Sequence, residues 1–261
     1  MVIFLLDKTK FIEQTERAIE DYSKENINEQ SLLRALQNFD LYQKQYNTFF
    51  EYLKDWFSLH NSKKYSDLKK DNYKLIKYIA ETELEPLKKD VFLSSGLEKE
   101  DLLIVKNIAK VVNSIYSNVS KLENFLIKKS KKLYPNLTYI LGPILTVRFL
   151  NQAKSLKRLS FLPASTIQLI GAESAMFKHL RFGKKGPKYG FLYLHPLMSG
   201  LNARQKGKLA RYMADKISLA ARYDYAGRPL HKELLEDVEK KKTRLSLESK
   251  KESKQSFISP S

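Results

Sequence analysis

Two stretches of the chain repeat apolar residues at the alternating spacing of three and four that marks one side of a packed helix. The first stretch has seven apolar residues and one glutamine at these positions, namely Leu32, Leu36, Phe39, Gln43, Tyr46, Phe50, Leu53 and Phe57. The second consists of Val105, Ile108, Val112, Ile115, Val119, Leu122 and Leu126. Two long helices joined by a smaller helical tip fit this pattern best. The spacing predicts an antiparallel coiled-coil hairpin, although two ordinary helices of a globular bundle would produce it too.

The second half of the chain has shorter apolar runs separated by turn residues. Breaks fall at Pro163, Gly183, Pro187 and Pro196, and a last amphipathic helix is expected from about Gly207 to Ala226. Residues 189–194 are expected to be extended, as a loop or a short strand. The segments predict an all-α protein with a short N-terminal segment at 1–30, a coiled-coil domain at 31–134 and a compact helical domain at 135–232. Residues 233–261 are expected to form a disordered basic tail, because apolar residues are sparse there.

Positive charge is concentrated in one region of the 261-residue chain. Lysine and arginine number 47 against 29 acidic residues, which gives a formal net charge of +18. Residues 142–228 contain 16 basic and 3 acidic residues, so this third of the chain carries +13 of that total. A local excess of this size indicates a surface that binds an anionic partner such as RNA.

The sequence has no recognisable catalytic or metal-binding signature. Cysteine is absent, which excludes disulfides, thiolate metal sites and a cysteine nucleophile. The histidines, which stand at positions 60, 179, 195 and 231, do not occur at metal-ligand spacing. The N-terminal apolar run is too short for a signal peptide, and no apolar stretch is long enough to span a bilayer. We therefore expect a non-enzymatic protein without a cofactor or membrane partner.

Basic residues of the last amphipathic helix share one face. At 100° per residue, Arg204, Lys208, Arg211, Asp215 and Arg222 fall in an arc of roughly 60°, away from the apolar residues Leu209, Met213, Ile217, Ala220 and Ala221. A second basic cluster precedes this helix in the sequence. Arginine offers a planar fork that suits phosphate oxygens. The RNA-binding residues predicted from both groups are Lys178, Arg181, Lys184, Lys185, Lys188, Arg204, Lys206, Lys208, Arg211 and Arg222.

Seven motifs between residues 142 and 226 resemble the Nop domain. They are Gly142-Pro143, Ser155-Leu156-Lys157-Arg158-Leu159, the run from Leu162 to Glu173, Met176-Phe177-Lys178-His179-Leu180-Arg181, Pro187-Lys188-Tyr189-Gly190, and the pair formed by 205–211 and 219–224. The heptad helices and the segment Trp56–His60 resemble the coiled-coil region of the same family. Among its members, the pattern is most similar to the archaeal homologues of the eukaryotic box C/D nucleolar proteins.

This resemblance implies a scaffold that binds a box C/D guide RNA at a kink-turn already held by a small ribosomal-protein-like partner. It also implies support of ribose 2′-O-methylation by fibrillarin, with residues 1–30 as a remnant of the fibrillarin-binding region. The location implied is the cytoplasm of an archaeon, or the nucleolus or nucleus of a eukaryote. Two alternatives remain open, namely a spliceosomal-type scaffold without a methylation role and a helical protein-interaction module.

The aromatic residues of the first long helix are more numerous than one partner helix can cover. Aromatic side chains are enriched in interface cores. The sequence therefore predicts homodimerisation through the coiled coil, as the resemblance also implies. The predicted interface residues are Phe39, Tyr46, Phe50, Trp56, Ile108, Ile115 and Leu122.

Overall fold

The computed structural model describes the backbone of residues 2–60, 62–82, 84 and 97–256. Side chains are described for residue 15 and for residues 26–60, 64–82, 84 and 97–248. Within these ranges the chain is helical and contains no strand, as the apolar periodicity predicts. None of the helices in the described part is both long and apolar enough to cross a membrane.

The helices follow one another with short connections. Those of the first half are α1 (Val2–His60), α2 (Ser62–Leu68), α3 (Asn72–Glu81) and α4 (Lys99–Leu133). Those of the second half are α5 (Pro135–Leu141), α6 (Pro143–Ala153), α7 (Leu156–Phe161), α8 (Ala164–Leu169), α9 (Glu173–Phe182), α10 (Ala203–Tyr225) and α11 (Glu233–Ser256). The extended stretch expected at 189–194 instead contains a 3₁₀ turn, Phe191–Leu194, which Pro196–Met198 follows as a second one.

The chain divides into two compact units. Residues 37–125 form one, and residues 1–36 together with 126–261 form the other. The borders between the units lie inside α1 and α4, which run through them without a break. The domain limits predicted at 30, 134 and 232 stay a prediction.

The 37–125 unit is a helical hairpin with its own apolar core. Phe50, Leu53 and Phe57 of α1 pack with residues of α3 and α4. The tip helix α3 contributes Leu75, Ile76 and Ile79, each fully buried. The predicted smaller helical tip is thus an integral part of the core. The heptad positions Phe50, Leu53, Phe57, Val105 and Val112 belong to this core, so packing inside one chain explains their spacing.

Helix α10 is the centre of the other unit. It packs against α5, α7, α8 and α11. The residues predicted to face the core, Leu209, Met213, Ile217, Ala220 and Ala221, are all fully buried. The helix begins at Ala203, earlier than the predicted start near Gly207. An Asn202 and Gln205 capping box satisfies the first backbone N–H groups and extends the helix by one turn.

The prediction of a disordered tail from residue 233 is wrong for residues 233–248. These residues belong to the helix α11 and pack on α10. Leu234, Val238 and Leu245 recur at helical spacing and are buried. The Nε2 of Gln205 donates a hydrogen bond to the carbonyl oxygen of Leu245 at 2.6 Å. Few apolar residues suffice here because α10 supplies the other half of the contact. Residues 257–261 of the predicted tail lie outside the described residues.

We predict that Leu245→Ala lowers the free energy of unfolding by about 2–4 kcal/mol, because this leucine is almost fully buried against α10. Denaturant titration followed by circular dichroism measures the change. Leu247→Ala is the matched control, since Leu247 is 55% exposed and its loss should cost at most about 0.5 kcal/mol. Equal effects of the two substitutions would contradict the docking of α11.

A candidate ribonucleoprotein interface

Helix α9 presents all its sides to the surface, since none of its residues is buried. Phe177, Leu180 and Phe182 are between 56% and 74% exposed. The guanidinium of Arg181 lies over the rings of Phe177 and Phe182, 5.7 and 5.4 Å from their centroids. Lys178 is exposed on the same helix. A short helix that displays apolar and basic side chains together is suited to contact a protein and an RNA at once.

The loop after α9 carries three of the predicted RNA-binding lysines and is fastened at several points. Gly183 ends the helix in the left-handed conformation, with φ at 63°. The ring Nδ1 of His179 is within hydrogen-bonding distance of the Lys184 carbonyl oxygen. Farther along, Gln168 Nε2 donates to the Lys188 carbonyl oxygen at 2.6 Å. The side chains of Lys184, Lys185 and Lys188 all remain exposed.

A close backbone approach closes this loop. The N–H of Gly190 donates to the carbonyl oxygen of Gln168 at 3.1 Å. The N–H of Phe191 donates to the carbonyl oxygen of Ile170 at 2.7 Å. A Cβ atom on Gly190 would lie 1.9 Å from the carbonyl oxygen of Ile170. Only glycine fits at this point, so the contact fixes where the basic loop returns to the domain.

The loop meets the beginning of α10. The aliphatic part of Lys188 lies over Gly207, where a Cβ would be 3.6 Å from the lysine Cδ. The Nζ of Lys206 lies 4.8 Å from the centroid of the Tyr193 ring, and that ring is stacked on Tyr189. Arg204 is exposed on the first turn of the helix. The structure thus brings Lys188, Lys206 and Arg204 into one neighbourhood around the start of α10.

The remaining predicted RNA-binding residues of α10 have other surroundings. Lys208 and Arg211 line a cleft of about 340 Å³ between α10 and α11. The ammonium of Lys208 is 3.8 Å from a carboxylate oxygen of Glu248 on α11. Arg222 is at the other end of the helix, where its Nε donates to the carbonyl oxygen of Ser160 at 3.2 Å. All three side chains stay exposed, but the single stripe expected from the sequence is divided into separate parts.

Two of the three carboxylates in this basic region are used to cap backbone. Asp224 accepts hydrogen bonds from the backbone N–H groups of Asn136 and Leu137, both at 2.9 Å, at the start of α5. Burial raises the pKa of Asp224, while these N–H donors oppose the shift. Glu173 accepts from the N–H of Gly171 at 2.9 Å. Glu173 and Asp224 are thus turned to backbone N–H groups, and the third carboxylate, Asp215, lies with Lys208 and Arg211 in the cleft between α10 and α11.

Two of the histidines, His60 and His195, are buried. His195 Nε2 is 2.9 Å from the carbonyl oxygen of Ile140, and its Nδ1 accepts from the N–H of Leu197. Burial lowers the pKa of His195, which favours the neutral ring that this pattern requires. Burial also lowers the pKa of His60. In the part of the chain with described side chains, no three histidine or acidic residues converge as metal ligands.

Comparison with models of known protein families shows to which family the chain belongs. Residues 39–244 match the Nop family, described as "snoRNA binding domain, fibrillarin". The chain belongs to the Nop family. The match includes the hairpin unit from Phe39 onwards, the interface formed by α9 and α10, and the first half of α11. The inclusion of α11 residues agrees with their packing on α10.

Relatives of this Nop-family chain come from archaea and eukaryotes. An uncharacterised NOP5 family protein of Methanocaldococcus jannaschii is 41% identical over 149 residues, covering 57% of this chain and 36% of the relative. Nucleolar protein 56 of Schizosaccharomyces pombe is 29% identical over 229 residues, covering 76% and 45%. Nucleolar protein 58 of Lodderomyces elongisporus is 36% identical over 135 residues, covering 52% and 26%. The chain thus spans between about a quarter and a half of these relatives' length.

A solved structure confirms the fold of the Nop-family chain. A chain in the crystal structure of a fibrillarin/Nop5p complex superposes with a TM-score of 0.57 at 22% sequence identity. The alignment covers 88% of this chain and 74% of the other. At this identity the likeness applies to the fold alone.

The RNA-binding residues predicted from the sequence include the basic residues of this Nop-domain surface but none of its exposed apolar residues. Phe182 is about 140–160° around α9 from Phe177 and Leu180, so the three cannot all face one core. Apolar residues on more than one side of a helix, next to Lys178 and Arg181, indicate that the helix is exposed. The stacked pair Tyr189 and Tyr193 could not be found from spacing, since it depends on the 3₁₀ turn Phe191–Leu194, which contains Tyr193.

Proposed function

We propose that this Nop-family chain is a non-catalytic scaffold of a box C/D guide ribonucleoprotein. In this proposal it binds a kink-turn RNA together with the small ribosomal-protein-like protein that holds the kink. The observation that carries the proposal is the composite surface of α9 and the loop 183–190. Its exposed apolar residues suit a protein surface, and its lysines and Arg181 suit phosphates.

The electrostatics and geometry of the surface favour shape-based RNA recognition. Kinked and duplex RNA is recognised largely through its phosphates, 2′-hydroxyls and shape. Lys188, Lys206 and Arg204 surround the start of α10, while Glu173 and Asp224 are turned to backbone N–H groups. The aromatic rings of Tyr189 and Tyr193 give this neighbourhood an additional flat surface.

Titration of the chain against three RNA ligands tests the proposal. The ligands are a kink-turn RNA, the same RNA with its small protein bound, and a straight duplex of equal length and charge. We expect the tightest binding to the protein-bound kink-turn and the weakest to the duplex. Equal affinity for all three would indicate a merely cationic surface and would contradict the scaffold role.

Fibrillarin is the proposed methyltransferase partner. The description of the Nop family names fibrillarin, and the similar solved chain comes from a complex of Nop5p with fibrillarin. Co-purification of fibrillarin with the assembled particle, followed by ribose methylation of a guided target, tests this step. A particle that binds kink-turn RNA without recruiting fibrillarin would support the spliceosomal-type alternative instead. We place the particle in the cytoplasm of an archaeon or the nucleolus of a eukaryote.

We further propose that two copies associate through the 37–125 unit. Three of the predicted interface residues, Phe39, Phe50 and Ile115, are buried within the chain itself, so a second copy cannot contact them. Trp56 and Ile108 instead line an apolar groove of about 660 Å³ between α1 and α4. The groove also contains Phe49, Tyr52, Ile104 and Val111, which are between 44% and 71% exposed. Tyr46 and Leu122 are half-buried.

We expect light scattering of the chain without RNA to give twice the 30.4 kDa mass of one copy. The paired substitutions Tyr52→Lys and Val111→Lys should return the mass to one copy, because they place charge in the apolar groove. Leu41→Lys is the matched control, since Leu41 is 51% exposed and does not line the groove. A wild-type chain that remains a monomer at micromolar concentration would rule out this dimer.

A further inference from the structure

Two exposed aromatic rings meet at the far end of α10 from the candidate interface. Phe161, the last residue of α7, is 72% exposed, and Tyr225, the last residue of α10, is 48% exposed. Their ring centroids are 6.0 Å apart with an interplanar angle of 66°, an edge-to-face contact. Such a contact engages the edge of one ring and leaves substantial ring surface in water.

Arginines accompany this aromatic pair. Arg222 precedes Tyr225 by one turn of α10, and its Nε donates to the carbonyl oxygen of Ser160, the residue next to Phe161. This hydrogen bond fixes the guanidinium beside the rings while the side chain remains exposed. Arg158 is exposed one turn before Phe161 on α7. Neither arginine forms an ion pair with a carboxylate among the described side chains.

The nearest acidic residue in the sequence, Asp224, does not reduce this positive charge at the surface. It is turned to the start of α5, where it accepts from the N–H groups of Asn136 and Leu137. The patch formed by Arg158, Phe161, Arg222 and Tyr225 therefore combines exposed rings with cations that no described carboxylate neutralises. Sites that bind single-stranded RNA combine aromatic rings for the bases with positive charge for the backbone.

We propose that this patch is a stacking platform for an unpaired nucleotide of RNA. The identification of the RNA as part of a guide particle rests on the proposed function, whereas stacking on the rings does not. A base stacks on the exposed face of Phe161 or Tyr225, and Arg222 and Arg158 contact the adjoining phosphates. Charge complementarity selects a polyanion as the occupant, since an apolar protein segment would have to desolvate both arginines.

The position of the patch separates it from the contacts already described. Arg204 and Arg222 lie 18 residues apart on one helix, which at about 1.5 Å per residue is roughly 27 Å. One RNA that reaches both ends must therefore extend along the domain. The patch engages a single-stranded segment beside the structured part of that RNA.

Fluorescence titration of the full chain with a single-stranded oligoadenylate of about ten nucleotides, carrying a central 2-aminopurine, tests the platform. Stacking on a protein ring quenches this base. We expect quenching by the wild-type chain, and also by Phe161→Tyr and Tyr225→Phe, which keep the rings. The double variant Phe161→Leu and Tyr225→Leu should lose the quenching and bind about 5- to 150-fold more weakly.

The controls separate stacking from structural damage. Leucine keeps the apolar contact between α7 and α10, so the double variant should retain the helical circular dichroism spectrum and thermal midpoint of the wild type. Tyr73→Leu is the matched control, because Tyr73 is 44% exposed and also contacts another ring, that of Tyr116. We expect it to bind the oligoadenylate like the wild type.

Unchanged quenching and affinity in the folded double variant would overturn the platform. That result is distinguishable from failure of the scaffold proposal, which is read from the affinities for a kink-turn RNA, the protein-bound kink-turn and a straight duplex. If the ring variant loses oligoadenylate binding while the wild-type chain binds those three RNAs equally, the platform stands and the scaffold proposal fails.

Discussion

Replacing Lys188 and Arg204 together with alanine is expected to weaken binding to protein-bound kink-turn RNA by about 1–3 kcal/mol in total. Both side chains are exposed where the 183–190 loop meets the start of α10. Fewer counterions leave the RNA when fewer phosphates are neutralised, so the slope of log affinity against log salt should fall by about one for each phosphate no longer bound. Titrations at several salt concentrations measure both quantities.

The matched control removes the same charge elsewhere. Lys110 and Lys121 are both exposed on α4, and their double alanine variant lowers the net charge equally. We expect its RNA affinity and salt slope to stay close to those of the wild type. Lys208→Ala should have a smaller effect than Arg204→Ala, because the Lys208 ammonium is already paired with Glu248. If the α4 variant weakens binding as much as the Lys188 and Arg204 variant, binding depends on net charge and not on the proposed surface.

The second large effect is expected from Gly190→Ala, which should destabilise the domain by about 3 kcal/mol. The added Cβ would lie 1.9 Å from a backbone oxygen of Ile170, and backbone cannot rotate away as a flexible side chain can. Denaturant unfolding measures the loss. At temperatures where the variant is still folded, the displaced loop should also weaken RNA binding.

Gly207→Ala is the control for a glycine-to-alanine change in the same neighbourhood. Its Cβ would be 3.6 Å from the Lys188 Cδ, an ordinary van der Waals distance, and the position is inside α10. Alanine favours helix over glycine, so this variant should be more stable by about 0.5–1 kcal/mol. Similar stabilities of the two variants would mean that the Gly190 backbone contact does not form in solution.

The sequence was sufficient to predict the helices that pack by a regular repeat. The heptad positions of α1 and α4 include Phe50, Phe57 and Val105, which are buried in the hairpin core. In α10 the apolar positions, among them Met213 and Ile217, face the core as their 100° spacing requires. A long periodic pattern is robust because each residue repeats the same information about which side is buried.

Helix α11 was not predictable in the same way. Leu234, Val238 and Leu245 are too few to form a core alone, and composition suggested disorder. Their burial depends on the surface that α10 offers, including the Gln205 side chain that binds the Leu245 carbonyl. Tertiary contact decided the structure of this segment, and sequence composition carries no information on such contacts.

The sequence indicated which types of residue form the candidate interface, but it did not indicate how these residues are arranged in space. Helical spacing placed Arg204, Lys208 and Arg222 on one stripe, but it could not reveal that α11 lies beside Lys208 or that Ser160 accepts from Arg222. Those contacts join residues far apart in the chain. The dimer prediction has the same limit, since periodicity does not distinguish a partner helix of the same chain from one of another copy.

The identity of the RNA bound in cells tests the scaffold role most directly. The chain is crosslinked to RNA in its native source, purified under denaturing conditions, and the attached RNA is sequenced. We expect enrichment of box C/D guide RNAs, with crosslinks near their kink-turns and, on the protein, in α9, the 183–190 loop and α10. RNA without kink-turns, or no RNA enrichment over a control of equal net charge, would contradict it.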